Sequence, residues 1–459
     1  GEDYGEGSSI MQERTHSFAM KSQIWLLDPR PNLESIVAAV EHGFALSEAS
    51  NTPVMLELRV RACHLHGRFT AKDNRKPTPA LADALAAPKR DVDRIVLPPA
   101  SFLHEQEKIK TRWPAAVEYI KHHQLNEVFA GGPHNKTDEY GLILQGGLYN
   151  TVIRALELLS LSDSYGNAAL PMYVMNVTYP LVNDELIEFC AGKKAILMIE
   201  EGQPEYIEQS LNTILRNADV QTKVHGKDFL PKAGEYTGDV LQKGLREFLE
   251  HTAPHLIESD THAREQAIAV NKQVAEKLGG SVPPRPPGFC TGCPERPVFT
   301  AMKLLQKEMG DFHVSCDIGC NLFSILPPFN IGNTTMGYGL GAAGGAAFNI
   351  KSDKRMINVM GDGGFWHNGL ASGIGNAVFN ENDNVIIIVD NGYSAATGGQ
   401  DILSSLANNP VRSTKNPIAK AVKGVGVKWL KTVRTYDIAK MTRTLRNALT
   451  TKAKGPKVI

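Results

Sequence analysis

A chain of 459 residues, 42% hydrophobic and 21% charged, has room for about three domains that each bury a core. Lysine plus arginine equals aspartate plus glutamate at 49 each, and no basic run is dense enough to track a nucleic-acid backbone, so nucleic acid is excluded as a partner class. No apolar stretch reaches the roughly 18 residues of a membrane span, and the opening Gly1-Glu2-Asp3-Tyr4 lacks the charge and apolar core of a signal peptide; a cytoplasmic protein without a membrane partner is expected. The chain opens without Met and closes on Lys457-Val458-Ile459, which looks like the start of a strand, so both ends read as cut.

In chain order, residues 33–62 pair a helical pattern (Leu33, Ile36, Val37, Val40, Phe44) with the strand Pro53–Val60, which makes 1–69 the tail of an α/β domain. A polar, proline-bearing stretch over 70–137 reads as a linker. From 138 to 235 strand and helix alternate again: Leu142–Gly147, a helical run over 150–160, a strand over 172–176 and another at Lys194–Glu201. Residues 236–284 are charged and helical and run into the breaker Pro283-Pro284-Arg285-Pro286-Pro287, after which 285–459 forms a third block.

The third block carries the chemistry. The apolar run Arg355–Met360 predicts a buried strand, residues 366–380 a helix, and Asn384–Asn391 a second strand. Strand, helix, strand implies a right-handed crossover between parallel strands, which brings Asp362 and Asn391 to the same carboxyl edge if the strands are adjacent. In isolation Gly361-Asp362-Gly363 reads as a solvated turn. A carboxylate, an amide oxygen and a nearby backbone carbonyl instead make a hard oxygen set suited to Mg²⁺, an ion that shares its remaining positions with phosphates and water. That pairing predicts a diphosphate ligand.

Six cysteines are present, and in a cytosolic chain disulfides are not expected. Four in the third block read C-x2-C, 22 residues, then C-x3-C (Cys290, Cys293, Cys316, Cys320), spacings that suit structural zinc and an iron–sulfur centre equally. Gly339-Leu340-Gly341-Ala342-Ala343-Gly344 satisfies G-x-G-x-x-G, but prolines and polar residues precede it where a dinucleotide site needs a strand. Its small residues suit close packing of a helix against a diphosphate, a neighbouring subunit or the core.

Gly361-Asp362-Gly363, 27 residues, then Asn391 resembles the thiamine-diphosphate fingerprint. With Cys290-Thr291-Gly292-Cys293-Pro294, Cys316-Asp317-Ile318-Gly319-Cys320 and Ala396-Thr397-Gly398-Gly399-Gln400 in this order, the chain resembles the 2-oxoacid:ferredoxin oxidoreductases, and among them the indolepyruvate type, particularly its fused bacterial form. Arg61-Ala62-Cys63-His64 and Ile199-Glu200-Glu201-Gly202-Gln203-Pro204 match that type in the first two blocks.

The resemblance implies several doubly wound α/β domains of the thiamine-diphosphate-binding type: the end of a pyrimidine-binding domain (1–69), a transketolase C-terminal-like domain (138–235) and a diphosphate-binding domain (285–459). It implies Mg²⁺ held by Asp362, Asn391 and the carbonyl of Tyr393; cofactor contacts from Gly361, Gly363, Thr397 and Gly398; and a [4Fe–4S] cluster on Cys290, Cys293 and Cys320. The family's fourth thiolate lies on a strand beginning about where this sequence stops, so either it is missing here or Cys316 takes its place. The implied reaction is oxidative decarboxylation of an aryl pyruvate with coenzyme A and ferredoxin as partners, in a dimer or higher oligomer.

His367 could face the substrate, or be a helix-start histidine satisfied by backbone. Ser8, Ser9 and Arg14 fall where the family has active-site loops, though solvated loop residues fit equally. The glutamate that activates the aminopyrimidine would precede Gly1. Two rival functions remain: a non-redox thiamine decarboxylase, which has no use for the cysteines, and a zinc-stabilised scaffold, which needs no thiamine.

Overall fold

The computed structural model describes residues 15–74, 81–88, 90, 92–131, 137–163, 165–257, 262–279, 281, 288–348, 353–406 and 416–459. Ser8, Ser9, Arg14 and the breaker at 283–287 lie outside the described residues. The chain divides into two units, 1–277 and 278–459.

The first unit holds β1 (Trp25–Leu27), β2 (Val54–Leu56), β3 (Glu127–Phe129), β4 (Tyr140–Gln145), β5 (Met172–Met175), β6 (Val177–Tyr179), β7 (Ala195–Ile199) and β8 (Lys223–His225). They form a three-stranded sheet, β2-β1-β6, and a five-stranded sheet, β3-β5-β4-β7-β8, parallel except for β3. Alternation along the larger sheet assigns its faces. Leu142, Leu144, Leu197 and Ile199 pack under the helices Tyr149–Leu158 and Gly238–Thr252. Ile143, Ile196 and Met198 point the other way, against Asn183–Cys190 and Tyr206–Asn217. Both faces are covered, the doubly wound arrangement expected.

The helix Leu33–Ser50 followed by β2 reproduces the expected helix-then-strand unit; Asn32 caps the helix by accepting from Ser35 N at 2.8 Å. The stretch 70–137 departs from the linker expectation. Its described part carries the helices Leu81–Ala86 and Ala100–Glu107, the second running through a π turn at Lys108–Arg112 into Trp113–His122, and it ends in β3. Ala116 and Ile120 are fully buried, and Trp113 meets Trp25 edge-on at 5.4 Å. The apolar residues at 113, 116, 117 and 120 keep helical spacing, but the charged residues around them hide it.

The second unit is one six-stranded parallel sheet: β9 (Val314–Cys316), β10 (Thr334–Thr335), β11 (Ile357–Gly361), β12 (Val385–Val389), β13 (Trp429–Leu430) and β14 (Lys457–Val458), in the order β10-β9-β11-β12-β14-β13. The helices Glu295–Met309 and Ile438–Thr450 cover one face through Val298, Met302, Met441 and Leu445. Phe365, Ile374 and Val422 cover the other. β12 reads Val-Ile-Ile-Ile-Val because both its faces are buried. The closing Lys457-Val458 is a strand as expected, lying between β12 and β13.

Candidate active site

The order of the second sheet sets the site. The chain leaves β9 toward β10 on one side and leaves β11 toward β12 on the other, so the crevice at their carboxyl ends is a topological switch point, where open α/β sheets bind ligands. Asp317 follows β9, Asp362 follows β11, and Gly361 pairs with Val389 of β12, which places Asn391 at the same edge. The Asp362 and Asn391 strands are thus adjacent, the condition on which their meeting at one edge depended. These residues line one small cleft with Glu295, Asn321, Tyr338, Gly361, Gly363, Gly364 and Ser394.

Asp362 is 2% exposed. Its carboxylate accepts from Gly363 N at 2.8 Å, Asn391 N at 3.0 Å and Gly392 N at 2.6 Å, tying together the loops after both strands. Burial pushes it up to about 6 against those three bonds, and the charge of Asp390 adds to the rise. Among the described residues Asn391 Oδ1 accepts one long bond, 3.3 Å from Tyr393 N, and so keeps lone-pair capacity. The helix that starts at Asp362 is π-helical over Phe365–Gly375 and ends at Phe379, close to the expected 366–380. Its first turn has no side chains to spare: a Cβ on Gly363 would meet Tyr338 Oη at 2.1 Å, and one on Gly364 would meet Asp317 Oδ2 at 2.2 Å.

Three cleft residues escaped the sequence reading. Asp317 is 1% exposed, accepts from Asn321 Nδ2 at 2.6 Å and Gly339 N at 3.3 Å, and is pushed up to about 7 by burial. Glu295, at the start of the helix after the cysteine pair, is pushed up to about 8 by burial, then by the charges of Asp317 and Asp362. Asn321 completes the wall. The available signal was an aspartate directly after an apolar stretch, as at Asp362, but β9 is only three residues long. No lysine, arginine or histidine lines the cleft among the described residues.

Thr397 and Gly398 lie in the turn that carries Ser394–Ala396 along the cleft. Thr397 Oγ1 is 3.1 Å from Ser394 Oγ and donates to Gln400 Oε1 at 2.6 Å; Gly398 has φ +111°. Tyr393 is 46% exposed. His367 is exposed, outside the lining residues, with its ring 5.2 Å from that of Tyr338, which hydrogen-bonds Ser394.

Cys290 is exposed and Cys293 and Cys320 are half-buried. The three are near one another: burial pushes Cys320 up to about 11, and Glu295, Cys293 and Cys290 add to it. Among the described residues no three His, Cys, Asp or Glu side chains gather as a metal set. Cys316 is 0% exposed on β9, 3.4 Å from Ser324 Oγ, and burial pushes it up to about 12. The glycine-rich run at 339–344 serves packing: a two-residue strand, β10, precedes it, and a Cβ on Gly339 would collide with Gly364 O at 2.2 Å.

Residues 317–459 match the family described as thiamine pyrophosphate enzyme, C-terminal TPP binding domain. Fold, cleft and match agree in making this part of the chain a thiamine-diphosphate-binding domain. The chain is similar over nearly its whole length to indolepyruvate oxidoreductase subunits IorA, as the motifs implied. Identity is 27% to that of Methanothermobacter thermautotrophicus, over 96% of this chain and 67% of that protein. It is 25% to that of Thermococcus kodakarensis (96% and 66%) and 28% to that of Archaeoglobus fulgidus (88% and 60%). The chain thus spans about two thirds of the length of these relatives. A 2-oxoglutarate:ferredoxin oxidoreductase from Magnetococcus marinus superposes on 38% of this chain and 63% of its own with 17% identity and a TM-score of 0.33, too partial to carry an argument.

Proposed function

We propose that this chain takes part in the oxidative decarboxylation of an aryl pyruvate, indolepyruvate or a similar 2-oxo acid, to an acyl-coenzyme A, with electrons leaving through iron–sulfur clusters to ferredoxin. The observation that carries the reading is the cleft itself: buried Asp362 and the amide oxygen of Asn391 meet at the switch point, with no protein cation to neutralise them among the described residues. The donor set fits Mg²⁺. Asp362 has three of its roughly four lone-pair positions filled by N–H groups, leaving one for a cation, and Asn391 Oδ1 and the Tyr393 carbonyl supply two more hard oxygens.

Thiamine diphosphate, when bound, supplies the carbanion and the electron sink. The chain's own residues do the positioning. Gly361, Gly363 and Gly364 let the helix start approach the diphosphate, whose charge suits a helix N-terminus. Asp362 locks the loop of Asn391 and Gly392 in place. The turn holding Thr397 and Gly398 presents Ser394–Ala396 as the outer wall. His367, against Tyr338, is the substrate-facing group we propose on that side.

Cys290, Cys293 and Cys320 are the proposed [4Fe–4S] ligands, on the strength of their motif. A fourth ligand at Cys316 finds no support in its packing on β9. Six free thiols suit a reducing, cytoplasmic setting, and no helix among the described residues is long and apolar enough to cross a membrane. A dimer or higher oligomer is proposed from the resemblance alone.

The test is a visible spectrum and metal analysis of the anaerobically purified full polypeptide. Iron with a brown absorption that bleaches on adding indolepyruvate and coenzyme A supports the reading, and Cys293→Ser should remove the colour. Stoichiometric zinc without iron favours the scaffold. Thiamine-dependent CO₂ release with no bleaching and no iron favours the non-redox decarboxylase.

A further inference from the structure

Among the described residues, two side chains of the cleft each hold a buried polar atom without a partner. Glu295 is 6% exposed and its Oε2 has no hydrogen bond; Asn321 is 2% exposed and its Oδ1 has none. Asn321, which lines the cleft, spends its amide nitrogen on Asp317 Oδ1 at 2.6 Å, so its oxygen is left as a free acceptor. A buried unsatisfied polar atom costs on the order of 1–3 kcal/mol, more when charged, and native structures leave few of them without a reason. Both residues line the same small cleft as Asp362 and Asn391. Diphosphate oxygens are acceptors and cannot satisfy Asn321 Oδ1, nor Glu295 once a nearby cation favours its ionised form. Magnesium can, indirectly: it gives up water reluctantly and, bound through a few protein oxygens and phosphates, keeps water in its shell. Such water donates hydrogen bonds outward.

We propose that Glu295 and Asn321 are positioning residues that accept hydrogen bonds from water on the Mg²⁺ ion of the cofactor, forming the outer wall of a hydrated-cation site. Asp317 backs them by orienting the Asn321 amide. Neither residue touches the ion. They fix its water shell, and through it the ion against Asp362 and Asn391. The inference rests on the reading of the cleft as a magnesium–diphosphate site.

The experiment compares the wild-type full chain with Glu295→Leu and Glu295→Gln in two measurements. Thermal melting without cofactor should show Glu295→Leu at or above wild type, because an unpaired buried carboxylate is gone. Calorimetric titration of Mg²⁺ at saturating thiamine diphosphate should show Glu295→Leu weakened about 10- to 100-fold, the usual cost of losing an outer-shell partner, and Glu295→Gln, which keeps an acceptor oxygen, weakened less. Opposite signs in the two measurements are the signature, since a merely structural role would lower both. Wild-type Mg²⁺ affinity in a folded Glu295→Leu overturns the inference and leaves the site reading standing. Wild-type protein that binds thiamine diphosphate without regard to Mg²⁺ overturns both.

Discussion

Each unit buries a cluster of carboxylates, and the two are handled in opposite ways. In the first unit Arg59 reaches Asp28 at 3.0 Å, bonds Glu201, and lies 3.9 Å from Glu57, all four residues under 9% exposed. Burial raises Glu201, and Arg59 opposes that rise. In the second unit Glu295, Asp317 and Asp362 are just as buried, yet none has an ion-pair partner among the described residues, and all three sit well above the usual carboxylate range. A cluster completed by its own arginine is structural. One left without a cation is shaped to be completed by a ligand, which for buried acids means a cation and the donors it carries.

The comparison breaks most visibly at Arg59. Arg59→Met leaves Asp28 and Glu201 buried without a counter-charge and should cost the first unit about 3–5 kcal/mol, read as a lower urea midpoint of its transition. An unchanged midpoint would mean that the cluster contributes nothing to the fold. A smaller effect separates buried charge from buried neutral groups. His16, beside Tyr179 in the first unit, is lowered by burial to about 4 from its ordinary 6.5. Between those values the unfolded chain holds the extra proton, so stability is full above about 6.5 and falls as pH drops toward 4, by on the order of 3 kcal/mol. His16→Phe should flatten that slope in melts taken across the window; an equally steep slope would assign the loss to other groups.

Strong, long patterns were legible and short ones were not. β11 and β12 announce themselves as apolar runs, and the 27 residues between Gly363 and Asn391 leave room for one crossover helix, so their parallel direction was legible while their adjacency came from the sheet itself. β1, β6 and β9 have three residues each, too few for alternation to show, and the Trp113–His122 helix lies in a stretch whose prolines suggested a linker. At the site, Asp362 and Asn391 were legible because the sequence itself supplies both strands. Asp317 required the sheet order, which makes β9 rather than β10 the neighbour of β11. Glu295 and Asn321 required knowledge of which atoms lack partners, a property of the folded cleft that no spacing carries. The cysteine motif was plain, but closure of its three thiols depends on side-chain placement.

The central claim is that the acidic cleft is completed by Mg²⁺ and thiamine diphosphate, and calorimetric titration of the cofactor into metal-stripped protein, with and without Mg²⁺, tests it most directly. The account predicts binding at micromolar cofactor only when Mg²⁺ is present, and its loss in Asp362→Ala while the apo variant still melts cooperatively as a folded protein. Affinity that is independent of Mg²⁺, or undiminished in Asp362→Ala, would contradict it.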